Sequence, residues 1–182
     1  MTDIELVEKF KSWDTQSFWK IFEKYSESLY KFIYLKVSSK EIAEDILSET
    51  FFKCLSNLEK FEPRFESALK SWIYTIAYNL VKDFYSKYKE KIDIEEIFSI
   101  WIEENFWAKI DNKDKLEEVK EFLLSIKDEQ REILIMRIWN DLSYKEIAEI
   151  TGKSVDNCKK IVSRVLKNIN TNLAILLILI MI

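Results

Sequence analysis

The sequence predicts an all-α protein of two small helical domains, and three observations support that prediction. The 182 residues include one Gly and one Pro, whereas these two residue types together make up about 12% of an average protein. Strands and tight hairpins depend on them, but long helices do not. Almost half of the residues, 48%, are apolar, which is enough to build hydrophobic cores. Finally, the apolar residues recur at helical spacing in two blocks separated by an acidic stretch.

The same patterns divide the chain into four parts. We expect a first helical domain at residues 1–91, an acidic linker at 92–115, a second helical domain with a helix-turn-helix at 116–169 and an apolar tail at 170–182. Within the first domain the predicted helices cover residues 4–37, 41–58 and 67–89. A loop around Pro63 precedes the third of them.

The chain contains no histidine, which excludes histidine-based triads and histidine zinc sites. The sequence also has no nucleophile–base pair, metal-binding cluster or Gly-rich phosphate loop. We therefore expect a protein that is not an enzyme, with no metal, no cofactor and no small-molecule substrate. Cys54 and Cys158 lie in apolar helical patterns, so we expect buried free thiols in a reducing compartment. Because no signal peptide opens the sequence, we expect a cytoplasmic protein.

Charge is distributed unevenly along the chain. The net charge of −4 argues against a simple basic nucleic-acid binder. Residues 153–167, however, carry five basic side chains against one acidic side chain, a balance of +4. Residues 92–121 carry ten acidic and four basic side chains, a balance of −6. A basic segment that follows an acidic one indicates an electrostatic field that differs from one part of the protein to another.

The residues of Leu173–Ile182 are all apolar. A membrane-spanning helix needs about 20 such residues, so this run is too short to cross a bilayer alone. Three interpretations stay open: a segment that packs against the protein, a helix that binds a partner, and part of a membrane anchor. We favour the first two.

Residues 142–167 have the pattern of a helix-turn-helix. Ser143 and Glu146 have the spacing of a capping box, in which each side chain accepts a hydrogen bond from the other residue's backbone amide. Gly152, the only glycine, suits the left-handed turn that ends a helix. Ser154 is then placed to cap a second helix.

The second of these helices has two unlike faces at 100° per residue. The inward arc is apolar and consists of Val155, Cys158, Ile161, Val162 and Val165. The outward arc offers donors to phosphates and base edges and consists of Asn157, Lys160, Ser163, Arg164 and Lys167, with Lys159 at its border. A lysine-rich solvated face would carry the same charges. The capping box, the glycine and the turn length together favour DNA binding.

The helix after the proline loop also has two faces. Trp72, Ile73, Ile76, Ala77, Leu80 and Phe84 share one arc and should form core. The opposite side carries Ser71, Tyr74, Thr75, Tyr78, Asn79, Lys82, Tyr85, Ser86 and Lys89. Tyrosine rings stack on unpaired bases at ~1–3 kcal/mol each, while lysines hold the nucleic-acid backbone. Tyrosines that merely cover a core would give the same pattern, and this helix taken alone favours that simpler interpretation.

A third segment, residues 43–55, has an acidic face. Ala43, Leu47, Thr50, Phe51 and Cys54 should face inward. Asp45, Glu49 and Phe52 should face outward. Carboxylates beside an exposed phenylalanine suit a protein-docking patch. A solvated acidic face explains the same residues and is the simpler interpretation of this segment alone.

Taken in chain order, the three segments resemble the extracytoplasmic-function group of bacterial sigma factors. The resemblance extends to about residue 169. Ala43–Phe51 is similar to the family's polymerase-binding helix, although the family usually has Gln where Ser48 stands. Ser71–Leu80 is similar to its promoter-melting helix. Asp128–Leu166 is similar to its promoter-reading C-terminal domain.

The resemblance implies a sigma factor that binds RNA polymerase core, recognises the −10 and −35 elements of promoter DNA and helps to melt the first. It implies polymerase contacts of Asp45, Glu49 and Phe52 with the β′ coiled coil, and of the second domain with the β flap. The implied −10 residues are Phe61, Arg64, Phe65, Tyr74, Tyr78, Asn79 and Lys82. The implied −35 residues are Ser154, Asn157, Lys159, Lys160, Ser163 and Arg164. An anti-sigma factor is a further implied partner, able to hold the protein at a membrane.

Several cations typical of the family are missing from this sequence. The family often has Arg at the positions of Thr75, Tyr78, Ile161 and Leu166, and this chain has four Arg against 24 Lys. Lysine cannot reproduce the bidentate fork that arginine forms with guanine. We therefore expect weaker promoter contacts that depend more on the DNA backbone and suit A·T-rich DNA.

Two other function classes fit parts of the sequence. A free-standing helix-turn-helix regulator would need only residues 116–169 and would leave the acidic and tyrosine-bearing helices without a role. A helical membrane-surface or adaptor protein would depend on the apolar tail.

Overall fold

The structure is a computed structural model of the 182-residue chain. It describes residues 1–37, 39–65, 67–88, 121–122, 125–138 and 140–167. The acidic linker predicted at residues 92–115 and the apolar tail predicted at 170–182 lie outside these ranges.

Helices form the regular structure of the described residues, and no strand occurs among them. In chain order these helices are α1 (Asp3–Lys11), α2 (Gln16–Val37), α3 (Lys40–Asn57), α4 (Ala68–Tyr88), α5 (Asp128–Ile138), α6 (Tyr144–Thr151) and α7 (Val155–Lys167). A short 3-10 helix, Leu58–Lys60, follows α3. The all-α prediction is confirmed, and the helices predicted at 41–58 and 67–89 coincide with α3 and α4 to within one residue at each end.

Contacts between Cα atoms divide the chain into two compact units. The first contains α1–α4, and α2 packs against each of the other three helices. Its core is built from almost fully buried apolar side chains, among them Leu6, Val7, Ile21, Leu29, Phe32, Ile33, Ala43, Leu58, Leu69, Ile73 and Ala77. The second contains most of the described residues from 121 onward, and in it α5 packs against α7.

The segment predicted as one helix at residues 4–37 forms two helices, so that prediction is wrong. Between α1 and α2, Trp13 adopts a φ of 69°. This left-handed conformation interrupts a helix, and it costs a non-glycine residue roughly 1–2 kcal/mol. The Asp14 carboxylate accepts a hydrogen bond from the Gln16 amide at 3.1 Å. Such local hydrogen bonds from side chains compete with continuation of the helix. The spacing of apolar residues does not reveal this competition.

A buried carboxylate fastens α1 to α2. Asp3 lies in the first turn of α1 and is buried. It accepts hydrogen bonds from the Lys24 ammonium at 2.6 Å and from the Tyr25 hydroxyl at 2.5 Å. Both donors belong to α2, and they satisfy the charge that burial would otherwise penalise. The short first helix is therefore held in place by polar contacts as well as by Leu6 and Val7.

The helix-turn-helix has the local structure that its sequence predicts. The Ser143 hydroxyl accepts a bond from the Glu146 amide at 3.2 Å, and the Glu146 carboxylate accepts one from the Ser143 amide at 2.7 Å. Gly152 ends α6 with a φ of 71°. The Ser154 hydroxyl then accepts a bond from the Asn157 amide at 3.2 Å and caps α7. The capping box, the left-handed glycine and the second cap are all confirmed.

Cys54 and Cys158 are buried thiols that form no disulfide bond, as their apolar surroundings in the sequence predicted. Burial raises the pKa of the Cys54 thiol to about 12, because an apolar environment disfavours the thiolate. A thiol that stays protonated is a poor nucleophile and a good packing group. Cys54 therefore contributes to the core of the first unit.

Replacing Gly152 by Ala should destabilise the second unit by about 1 kcal/mol, because a residue with a Cβ disfavours the left-handed conformation. Apart from Gly152 and its two chain neighbours, no residue has an atom within 4 Å of the position that the new Cβ would occupy, so the cost arises in the backbone alone. Gly152→Asn should cost less, since asparagine tolerates this conformation better. Denaturant unfolding of both variants checks the order, and an unchanged midpoint for Gly152→Ala would contradict it.

Candidate nucleic-acid interface

The two faces predicted for the last helix are present in α7. Its apolar arc is buried in the second unit through Cys158, Ile161, Val162 and Val165. Its polar arc is exposed and consists of Asn157, Lys159, Lys160, Ser163, Arg164 and Lys167. One side of α7 therefore offers cations and amide or hydroxyl donors to solvent, and a helix of this kind fits the major groove of DNA.

Contacts of two basic residues, which the sequence did not reveal, hold the helix-turn-helix in place. Lys153, counted above with the basic residues of this segment, forms an ion pair with Glu129 of α5. The Arg137 guanidinium donates a hydrogen bond to the Leu142 carbonyl at 3.2 Å and lies 5.4 Å from the centroid of the Tyr144 ring. These contacts join α5 to the loop before α6, to α6 itself and to the turn after α6, so helical periodicity could not reveal them.

The middle of α4 presents a strip of polar side chains. Asn79 and Lys82 are exposed, and Tyr78 is half-buried beside them. The Lys82 ammonium lies 5.7 Å from the centroid of the Tyr78 ring. The strip thus combines a ring, an amide and a cation, which can respectively stack on a base, hydrogen-bond to its edge and pair with a phosphate.

Tyr74, which the sequence analysis included among the −10 residues, is 0% exposed. Its ring packs against that of Phe32 of α2, with 5.0 Å between the centroids. The buried face of α4 includes Leu69, Ile73, Tyr74, Ala77 and Val81. Four residues of the predicted inward arc, Trp72, Ile76, Leu80 and Phe84, are only half-buried. The buried face is therefore rotated toward Tyr74 relative to the prediction. The placement of Tyr74 on the exposed side was wrong, because the packing of α2 decides the rotation of α4. Ser71, expected on the same side, is also buried.

The loop around Pro63 packs against the start of α4. The Phe61 ring stacks on the Trp72 ring with 4.6 Å between their centroids and 26° between their planes. Arg64 is exposed, and Phe65 is half-buried. An ion pair of 2.8 Å between Lys11 and Glu62 joins the loop to α1. The structure therefore places Phe61, Arg64 and Phe65 in a loop whose first two residues contact α4 and α1.

The acidic face predicted on α3 is exposed. Asp45, Glu49 and Phe52 all reach solvent, and Phe52 is 67% exposed. They line a shallow depression together with Ile46 and Ser48. The inward side holds Ala43, Ile46, Thr50, Phe51 and Cys54. Ile46 is buried, although it was not among the residues predicted to face inward. Leu47 was predicted to face inward, but it is half-buried.

Two exposed tryptophans were not recognised from the sequence. Trp13 is 87% exposed in the turn between α1 and α2, and Trp19 is 63% exposed on α2. Trp19 contacts Phe22 with 6.0 Å between ring centroids, and Phe22 contacts Phe51 of α3 at 4.7 Å. Large apolar residues carry the same sequence signal whether they are buried or exposed, so composition alone could not separate these two from the core.

The described residues contain no group of three or more acidic or cysteine side chains that could hold a metal ion. No helix within those ranges is long and apolar enough to cross a membrane.

Comparison with protein families gives two matches, one for each unit. Residues 21–91 match the model "Sigma-70 region 2". Residues 116–169 match the model "Sigma-70, region 4". The first range contains the α4 strip, the proline loop and the acidic face of α3, and the second contains the helix-turn-helix.

Individual relatives agree with these matches. The RNA polymerase sigma factor SigV of Bacillus subtilis is 30% identical over 146 residues, which are 79% of this chain and 82% of SigV. The ECF RNA polymerase sigma factor BldN of Streptomyces coelicolor is 28% identical over 174 residues, which are 91% of this chain but 64% of BldN. The sigma factor RpoE of Bartonella quintana, in its crystal with the anti-sigma factor NepR, has the same fold with a TM-score of 0.56 and 22% identity, over 84% of this chain and 94% of RpoE. The chain belongs to the extracytoplasmic-function group of the sigma-70 family of RNA polymerase sigma factors.

Proposed function

We propose that this sigma factor binds RNA polymerase core, recognises the −10 and −35 promoter elements and promotes melting of the DNA at the first. The observation that supports this best is the pair of exposed polar surfaces, the α4 strip and the outer face of α7, on separate helical units. Two contacts that are individually weak can bind one promoter tightly when a single chain joins them, because tethering raises the effective concentration of the second.

Each part of the chain has its own role in this proposal. Residues 1–91 bind polymerase and the −10 element, residues 116–169 bind the −35 element, and residues 92–115 connect them. The ranges of the two family matches, 21–91 and 116–169, support this division.

At the −35 element, the outer face of α7 enters the major groove. Arg164 is the one arginine in α7, and it can form a bidentate pair with a guanine. Lys159 and Lys160 are exposed and pair with phosphates. The remaining contacts in this proposal come from Ser154, Asn157 and Ser163, which are exposed and carry hydrogen-bonding side chains.

At the −10 element, an unpaired base meets the α4 strip and the proline loop. Asn79 hydrogen-bonds to the base edge, Tyr78 stacks, and Lys82 pairs with a phosphate. Phe61, Arg64 and Phe65 complete the contact from the loop. Tyr74 has no part in it, because its ring is enclosed between α2 and α4.

Polymerase core binds the exposed face of α3. Asp45 and Glu49 supply negative charge beside the apolar ring of Phe52, a combination that suits the basic β′ coiled coil. The second unit meets the β flap. An anti-sigma factor is a further partner, as NepR is for RpoE of Bartonella quintana. The protein acts in the cytoplasm.

The alternative of a free-standing helix-turn-helix regulator is disfavoured. Such a protein would need the second unit only, yet residues 21–91 match a sigma-factor region of their own. It would also leave the exposed Asp45, Glu49 and Phe52 without a role.

Replacing Arg164 by Ala should weaken binding at the −35 element by about 1–3 kcal/mol, because a bidentate contact with a base is lost. Arg164→Lys is the matched control, since it keeps the charge and removes the planar fork. Holoenzyme affinities for cognate and scrambled −35 DNA check the prediction. If Arg164→Ala lowers both affinities equally and Arg164→Lys restores them, Arg164 binds phosphate and does not read a base.

Replacing Asn79 by Ala should impair open-complex formation while polymerase binding persists, because Asn79 is exposed on α4 and is not one of the α3 residues assigned to polymerase. Permanganate reactivity of thymines in the promoter bubble measures the open complex. Tyr74→Phe is the control on the same helix, and we expect wild-type reactivity from it because its ring is buried. Unchanged reactivity in Asn79→Ala, or a strong loss in a folded Tyr74→Phe, would show that the strip has been assigned wrongly.

A further inference from the structure

A buried lysine lies behind the α4 strip. Lys36 is in the last turn of α2 and is 3% exposed, although lysine is among the residues least often buried. Its ammonium nitrogen lies 5.1 Å from the centroid of the Phe32 ring and 5.5 Å from that of Tyr78. Burial of an ammonium group is unfavourable unless the surroundings offer negative charge or partial charge. The electron-rich faces of aromatic rings supply part of that compensation.

The other end of the same residue is also fixed. The Tyr85 hydroxyl of α4 donates a hydrogen bond to the Lys36 carbonyl. Lys36 therefore contacts α4 through its backbone at Tyr85 and through its side chain at Tyr78. Since Tyr78 and Tyr85 are seven residues apart on α4, these contacts join the end of α2 to two points about two turns apart on α4.

Tyr78 thus lies within cation–π distance of two lysines that differ in burial. Lys36 is buried and cannot reach solvent. Lys82 is exposed, and its ammonium lies 5.7 Å from the Tyr78 centroid. An exposed ammonium exchanges a ring for a phosphate at little cost, because both positions remain in contact with water. A buried one stays with the ring.

We propose that Lys36 is a positioning residue that holds the Tyr78 ring as a stacking platform for an unpaired promoter base, while Lys82 moves from the ring to a backbone phosphate when the base arrives. This inference rests on the proposed −10 function of the α4 strip. Lys36 itself does not touch DNA, because its side chain is enclosed. It acts by restricting the ring of a half-buried tyrosine, so less conformational freedom is lost when the base stacks.

Base stacking in the holoenzyme tests the proposal. Promoter DNA with a pre-melted −10 region carries 2-aminopurine at each non-template position in turn, and stacking on a ring quenches its fluorescence. Tyr78→Ala should abolish quenching at one position. Lys36→Met keeps an unbranched side chain one atom shorter than lysine and removes the charge. It should reduce quenching at that same position and lower open-complex formation by about three- to tenfold, the range expected for a partly buried cation–π contact. Lys36→Arg should retain most of the signal, because it keeps the cation.

Two further readouts separate positioning from phosphate binding and from a general structural role. Lys36→Met combined with Tyr78→Ala should lose no more than Tyr78→Ala alone, because Lys36 acts through that ring. The salt dependence of DNA binding should become shallower in Lys82→Met, which loses a phosphate contact, and stay unchanged in Lys36→Met. Multiplying losses in the double variant, or a shallower slope in Lys36→Met, would overturn the proposal.

The remaining outcomes are equally decisive. If Lys36→Met unfolds, Lys36→Gln takes its place, and if both unfold the lysine serves the fold and the proposal is overturned. If Tyr78→Ala abolishes quenching and the folded Lys36 variants do not reduce it, Lys36 has no positioning role although the −10 function stands. If Tyr78→Ala and Asn79→Ala both leave quenching and open-complex formation unchanged, the proposed −10 function of the strip itself fails.

Discussion

The packing of α4 against α2 is the constraint on which the α4 strip depends. Ile73, Ala77 and Val81 are buried, and Tyr74 packs against Phe32. These contacts fix the rotation of α4 about its axis, since a helix must bury its apolar face. The side chains of α4 that can contact a nucleic acid are those that this rotation leaves exposed. The strip of Tyr78, Asn79 and Lys82 is therefore a consequence of core packing.

In the second unit, the exposed polar face of α7 also follows from packing, and the sequence pattern predicts it more clearly. In α7 the apolar and cationic arcs are well separated, so burial of one exposes the other. The net charge of the whole chain, −4, has no bearing on this, because the field at a surface comes from the groups near it. Lys153 shows the limit of charge counting, since its ammonium pairs with Glu129 and supports the fold.

The sequence was most informative where a rule of local geometry applies. The capping box at Ser143 and Glu146 and the left-handed Gly152 could be predicted because only neighbouring residues take part in them. The rotation of α4 could not, because tyrosine suits both a core and a surface and the packing of α2 decided between them. The break at Trp13 and the burial of Lys36 were missed for two different reasons. The first comes from local polar hydrogen bonds in a pattern that looks continuous, and the second from rings supplied by α2 and α4.

The central claim is that two surfaces on two helical units act on one promoter when polymerase core holds the chain. Transcription by purified core polymerase, with and without the full chain, on templates whose −10 and −35 elements vary independently tests this claim most directly. The account predicts defined start sites only when the chain is present, and their loss when either element is replaced. Start sites that appear equally without the chain, or that ignore both elements, would contradict it.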